Sequence, residues 1–455
     1  MRLSRVGTAR RASVALASLA LVSLLAACGS GGSSSNGGGG GAGVTGPKNA
    51  LVNCPASGGS TASPESGNVS LTVSGWTSSP AEDALVQQGL NDFMKANPNI
   101  KVTWSPIPSD YQTKMRANVA SGNVPDVFYL SPDMSQEYIP AGKLLDLSPY
   151  MARDNVAASA YYPALMQPFD CSSGAVYGIP KDWNSLGLFY NKTMFQQAGL
   201  SDPSTWTWQD LQNAAQKLTT GSAHGLALPA DASRFGAFLF ANGGQMLSSN
   251  GQSAAFNSTA GQAAATFYTS FELNHTGVMP SDVGAGWDGE AFGKGLVGMT
   301  FEGGWMIPYM SQSFPNVSYG IAPLPKSPTG ANDNLVYTNA WGASSATKHP
   351  DAAWKLIQFM TAANYQTQVL HDGFALPTLQ SLASDPYFQS NPGVKVLEDG
   401  AQNGHADFYG PADSQVHQQL SAALQAIMLK KGTVNGELAT ASQTVDTWIQ
   451  QNVHP

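Results

Sequence analysis

From Val69 onward apolar and polar positions alternate, placing Val69, Leu71 and Val73 on one side of a half-buried strand. The stretch Ala81 to Ala96 changes period: Val86, Leu90, Phe93 and Met94 share one helical face, and Asn97-Pro98 stops the helix. Ile100, Val102 and Trp104 alternate again, and Tyr111 to Ala120 reads as a second helix. Asp126 to Leu130 then forms a short continuous apolar run of the kind that makes a buried strand. Strand, helix, strand, helix, strand is the rhythm of a parallel sheet covered on both faces, so the fold class is α/β. Further on, Thr207 with Asp210 three residues later predicts a capping box ahead of the stripe Leu211, Ala214, Ala215 and Leu218. Pro350 opens another helix, with Ala353, Leu356, Ile357 and Met360 along one face, and Gln415 to Gln450 is helical in pattern. No internal repeat is visible.

The N-terminal pattern is of another kind. Arg2, Arg5, Arg10 and Arg11 precede an apolar run from Val14 to Ala27. At about 14 residues that run is too short to span a bilayer, which needs roughly 20, so residues 1–27 read as a cleaved signal. It ends in Leu25-Ala26-Ala27-Cys28, which resembles a bacterial lipobox and makes Cys28 the expected site of lipidation. The surroundings of Arg10-Arg11 match a twin-arginine signal poorly. Gly29 to Pro47 is almost entirely Gly, Ser and Asn, a composition without the apolar surface needed to offset ordering, so residues 28–67 read as a flexible leash. No later stretch is long and apolar enough to cross a membrane. The expected location is therefore the outer face of the bacterial cytoplasmic membrane, held there by lipid alone.

Size and charge narrow the classes. The remaining roughly 390 residues exceed what one hydrophobic core usually supports, which predicts two domains. The formal net charge of −8 becomes −12 once the four arginines of the signal are removed, which argues against nucleic acid and against direct binding to anionic lipid. With Cys28 assigned to the lipobox, Cys54 and Cys171 are left as an expected disulfide in an oxidising compartment. Its loop of roughly 100 residues would stabilise by up to about 4–5 kcal/mol.

Catalytic constellations are missing. The seven histidines never pair at metal-ligand spacing, and neither a G-x-S-x-G elbow nor a P-loop is present. Gly284 to Gly289 matches G-x-G-x-x-G but lacks the strand-then-helix setting, and Ser345 to Lys348 matches S-x-x-K without its companion motifs. The reading is no enzyme, no cofactor and no metal. One enzymatic alternative stays open, a glycosidase built on two of Asp182, Asp231, Asp288 and Glu302.

Several blocks stand in order along the chain. They begin with Phe93-Met94-Lys95-Ala96-Asn97-Pro98-Asn99-Ile100-Lys101-Val102 and Gly122-Asn123-Val124-Pro125-Asp126-Val127. Tyr177-Gly178-Ile179-Pro180 with Leu188-Phe189-Tyr190-Asn191-Lys192 is the most specific block. Thr205-Trp206-Thr207-Trp208, Phe292-Gly293-Lys294-Gly295 through Gly303-Gly304-Trp305, and His349-Pro350-Asp351-Ala352-Ala353-Trp354 follow. In this order they resemble the family 1 extracellular solute-binding proteins of ABC importers, a group that includes maltose-binding protein. The resemblance implies a two-lobed fold of the periplasmic-binding type II class, with the ligand enclosed in a cleft at the hinge crossovers. It places one lobe at 68–180 with 342–388 and the other at 181–341 with 389–455. It also implies a permease as partner, and a monomer is the default.

A sugar ligand needs flat aromatic surfaces for its C–H faces and side chains that donate and accept around its hydroxyls. Ten tryptophans are available, several beside Gly, acidic or amide residues. Trp305 matches the position of the family's stacking aromatic, while Asp133 and Asp231 match acids in the maltose-binding relative. Asn184 replaces a carboxylate of that relative. Trp76 lies in the first strand-to-helix loop, and Trp183, Trp287, Trp341 and Tyr409 (with Phe408 as a possible lid) complete the candidates. A polyamine or organic phosphate is the alternative ligand. A phosphate ester would need basic residues in the cleft, yet Arg116, Arg153 and Arg234 are the only arginines after the signal.

Overall fold

The computed structural model describes residues 67–453 apart from Ser78, Ser79 and Ser172, together with Thr61 and Glu65. The signal, Cys28, Cys54 and all of the leash but Thr61, Glu65 and Gly67 lie outside the described residues. Eleven strands are found among the described residues. They are β1 (Val69–Ser74), β2 (Ile100–Trp104), β3 (Val127–Leu130), β4 (Gly178–Ser185), β5 (Gly187–Asn191), β6 (His224–Ala227), β7 (Gly277–Val278), β8 (Val297–Glu302), β9 (Tyr319–Ala322), β10 (Asn334–Ala343) and β11 (Gly404–Ala406).

The first sheet runs β11-β10-β3-β1-β2, with β4 also paired to β10; the second runs β7-β6-β8-β5-β9. As the alternation predicts, Val69, Leu71 and Val73 of β1 point inward, and β3 is buried along its whole length. The helix Pro80–Ala96 packs Val86, Leu90 and Phe93 into the same core. The sheet is not wholly parallel. β2, β1 and β3 are parallel, but β10 runs antiparallel to β3 because it arrives from the opposite lobe. The Thr207–Asp210 capping box forms in both directions. The helical C-terminal stretch is two helices, Asp413–Met428 and Val434–Asn452, with Lys430 left-handed between them and Thr433 capping the second.

Two main cores result. One draws on Val69 to Ile179 and Ala340 to Ala375, the other on Leu186 to Leu335 and Tyr409 to Val453. β4 and β10 join them. They pair antiparallel from Gly178 opposite Gly342 to Ser185 opposite Val336, and β4 passes directly through Leu186 into β5 of the second sheet. The register shifts between Asn339, opposite Asp182, and Ala340, opposite Pro180. Lys181 is therefore an extra residue, a β-bulge in a crossover strand. Its carbonyl accepts from Gln366 Nε2 at 2.6 Å, and Gln366 Oε1 accepts from the Thr378 N–H at 2.7 Å. Cys171 is buried. No helix among the described residues is long and apolar enough to cross a membrane.

Candidate functional site

The crossover strands carry one wall of a cavity of about 390 Å³. In β4, a period of two sends Asp182 and Asn184 to the cavity and Trp183 the other way; the bulge lets Lys181 join the cavity side as well. Tyr337 and Asn339 of β10 stand beside them. Trp76 enters from the first lobe, while Trp287, Trp305 and Tyr309 enter from the second.

Each ring is braced. Trp76 meets Tyr111 and Tyr129 edge-on at 5.3 and 4.7 Å between centroids, and Trp287 lies 4.8 Å from Tyr309. Trp305 follows the turn after β8. Its indole N–H donates to Glu302 Oε2 at 2.7 Å, and its ring packs against both main cores and a third, smaller one. That turn needs glycine, since a Cβ on Gly304 would stand 2.6 Å from Asn184 Oδ1, which accepts the Gly304 N–H at 2.8 Å. The same bond ties β4 to the turn that presents Trp305.

The polar end is a buried triad. Lys181 Nζ donates to Asp182 and, at 3.2 Å, to Glu82, and lies 4.3 Å from the Tyr129 ring centroid. Burial pulls the lysine pKa down, but Asp182 and Glu82 outweigh it, and the net direction is up. Beneath Trp305, Arg234 reaches Glu302 at 3.0 Å and lies 4.0 Å from Asp288. Burial and the neighbouring Asp288 push the Glu302 carboxyl well above its ordinary range.

Tyr337 and Asn339 also line a second cavity of about 630 Å³, whose walls carry Asp133, Asp407, Asp413 and His417. His417 Nε2 sits 3.5 Å from Asp407 and 3.7 Å from Asp413. Burial opposes the imidazolium, but the two carboxylates prevail and raise its pKa to about 10. Burial raises the Asp133 carboxyl, which pairs with Arg116 at 3.5 Å.

The structure thus brings Trp76, Asn184, Trp287 and Trp305 to the first cavity and Asp133 to the second. It does not bring the others there. Trp183 donates its indole N–H to the Pro377 carbonyl, and Trp341, only 2% exposed, packs edge-on against Tyr129 behind the triad. Tyr409 donates its hydroxyl to Asp407 within the second core, and its neighbour Phe408 is also buried, so neither is a lid. Asp231 caps the helix Ala232–Ala241 through the Arg234 N–H. Reading the sequence missed Glu82, Lys181, Tyr309, Phe374 and the His417 cluster. Of these only Lys181 had a usable sign, its place beside the candidates Asp182, Trp183 and Asn184.

A family model for bacterial extracellular solute-binding proteins matches residues 76–367. The chain belongs to that family. Among relatives of this solute-binding protein, a putative binding protein of Brucella abortus is 21% identical over 86% of this chain and 95% of its own. The multiple sugar-binding protein of Streptococcus mutans is 24% identical over 64% and 71%. Two solved structures share the two-lobed fold. An ABC substrate-binding protein from Listeria monocytogenes in complex with cycloalternan gives a TM-score of 0.78 at 22% identity, covering 84% of this chain and 99% of its own. A solute-binding protein from Thermotoga lettingae bound with α-D-tagatose gives 0.77 at 21%, with the same coverage.

Proposed function

We propose that this solute-binding protein captures a sugar or oligosaccharide between its lobes and delivers it, by closing at β4 and β10, to the membrane permease of an ABC importer. The observation that carries the reading is the cavity itself: indole faces from both lobes around a ring of acid, amide and hydroxyl groups. Sugar C–H faces stack on such rings, and their hydroxyls pair with such neighbours. The names of the Streptococcus mutans and Bacillus subtilis relatives, a multiple sugar-binding and a galactooligosaccharide-binding protein, support the same class. In this reading the protein performs no chemistry: Glu302, one of the glycosidase candidates, is fully buried and engaged by Arg234 and Trp305. It works as a monomer tethered by lipid on Cys28, with Cys54 bridged to Cys171.

Tryptophan fluorescence titrated with mono- and oligosaccharides tests the proposal. A saturable response to one sugar class, without turnover, is expected. Trp305→Ala should then weaken binding by about thirtyfold or more, as for an aromatic at the centre of a contact. An affinity within about twofold of the unmodified protein would remove Trp305 from the site. Release of new reducing ends would replace binding with hydrolysis.

A further inference from the structure

The cleft holds its positive charges in one repeated arrangement. Among the described residues lining the two cavities, the cationic side chains are Lys181 and His417. Lys181 lies between Asp182 and Glu82, and His417 between Asp407 and Asp413. Arg234, under the Trp305 ring at 5.6 Å, is flanked in the same way by Glu302 and Asp288. Asp133 adds a further acid, and its partner Arg116 is shared with Glu137 at 2.6 Å.

Every cation of the cleft is thus flanked by two acidic side chains, and the most buried of them is placed by the geometry of the strand. A regular β4 would turn Lys181 toward the Trp183 side; the bulge, fixed by Gln366, inserts it between two acids instead. An ionised carboxylate only accepts hydrogen bonds, so it receives a hydroxyl and repels a second anion. In an enclosed site of low dielectric that repulsion is strong.

We infer that the cleft discriminates by charge: it takes uncharged, polyhydroxylated solutes and refuses sugar acids and sugar phosphates of the same size, with Glu82–Lys181–Asp182 as the specificity element. This rests on the proposed sugar-binding reading for the ligand class, but the charge rule holds for any solute.

The test is fluorescence titration of the protein with matched pairs: maltose and maltobionate, cellobiose and cellobionate, lactose and lactobionate. Glucose 6-phosphate and spermidine complete the set. The neutral member of a responding pair should bind at least about tenfold more tightly than its acid. Glu82→Gln and Asp182→Asn, each checked for a native melting transition, should narrow that gap by about tenfold. Equal affinity for neutral and acidic members overturns the inference, as does a gap unchanged in folded variants. Should neither variant fold, the gap in the unmodified protein still decides. A response to spermidine alone would keep the exclusion of anions but overturn the uncharged, polyhydroxylated solute and with it the sugar reading; a response to glucose 6-phosphate alone would overturn both.

Discussion

At the scale of single residues, the environment decides which of two neighbours serves the site. Trp183 and Asn184 are adjacent, yet only Asn184 faces the cavity, because successive side chains of a strand point to opposite faces. His417 shows environment acting on charge. Its ring faces Asp407, Asp413 and Ser233 Oγ, lies beside the Tyr409 ring, and feels Asp231 at longer range. Its pKa is raised from 6.5 to about 10, so the stabilisation it brings is full below pH 6.5 and is lost as pH rises through about 10. Melting temperatures across that window should therefore fall more steeply for the unmodified protein than for His417→Gln. Parallel curves would show that the imidazolium contributes nothing. None of this was legible in the sequence, where His417 is a lone histidine in a helical pattern and its acids lie on another turn and another segment. Trp76 and Trp305 were legible, the first from its place in the first strand-to-helix loop and the second from the position of the family's stacking aromatic.

At the scale of elements, periodicity was enough for β1, β2, β3 and the helices between them, where local pattern and burial agree. It failed where strands cross between lobes. β10 pairs with β3, β4 and β11 at once, and its antiparallel entry depends on partners over a hundred residues away. The bulge at Lys181 was equally invisible, since it is a mismatch between two strands and not a property of either. Its buttress can be tested. Gln366→Leu keeps the approximate volume but leaves the Lys181 carbonyl and the Thr378 N–H unsatisfied in a buried site. A loss on the order of 2–4 kcal/mol in denaturant unfolding is expected, with weaker ligand binding as Lys181 is released. An unchanged unfolding midpoint would mean that the bulge needs no support from Gln366.

At the scale of the whole molecule, the expected attachment has two parts that one preparation can separate. Cys28→Ala should release the protein from membranes into the medium, while a non-reduced digest of the released form still yields a joined Cys54 and Cys171 peptide. Retention of that variant on the membrane would reject the lipid anchor, and free thiols at both positions would reject the pairing. The two cores also set an order of events in synthesis. The second core is closed by Val416, Leu420, Leu438 and Ile449, on helices that pack onto Ala232–Ala241 and Thr259–Leu273, made well over a hundred residues earlier. Native structure in that half therefore waits until those two helices emerge. In the expected export behind a cleaved N-terminal signal, this delay would let the translocation machinery engage the N-terminus while the lobe that would jam the channel is still missing its closing helices.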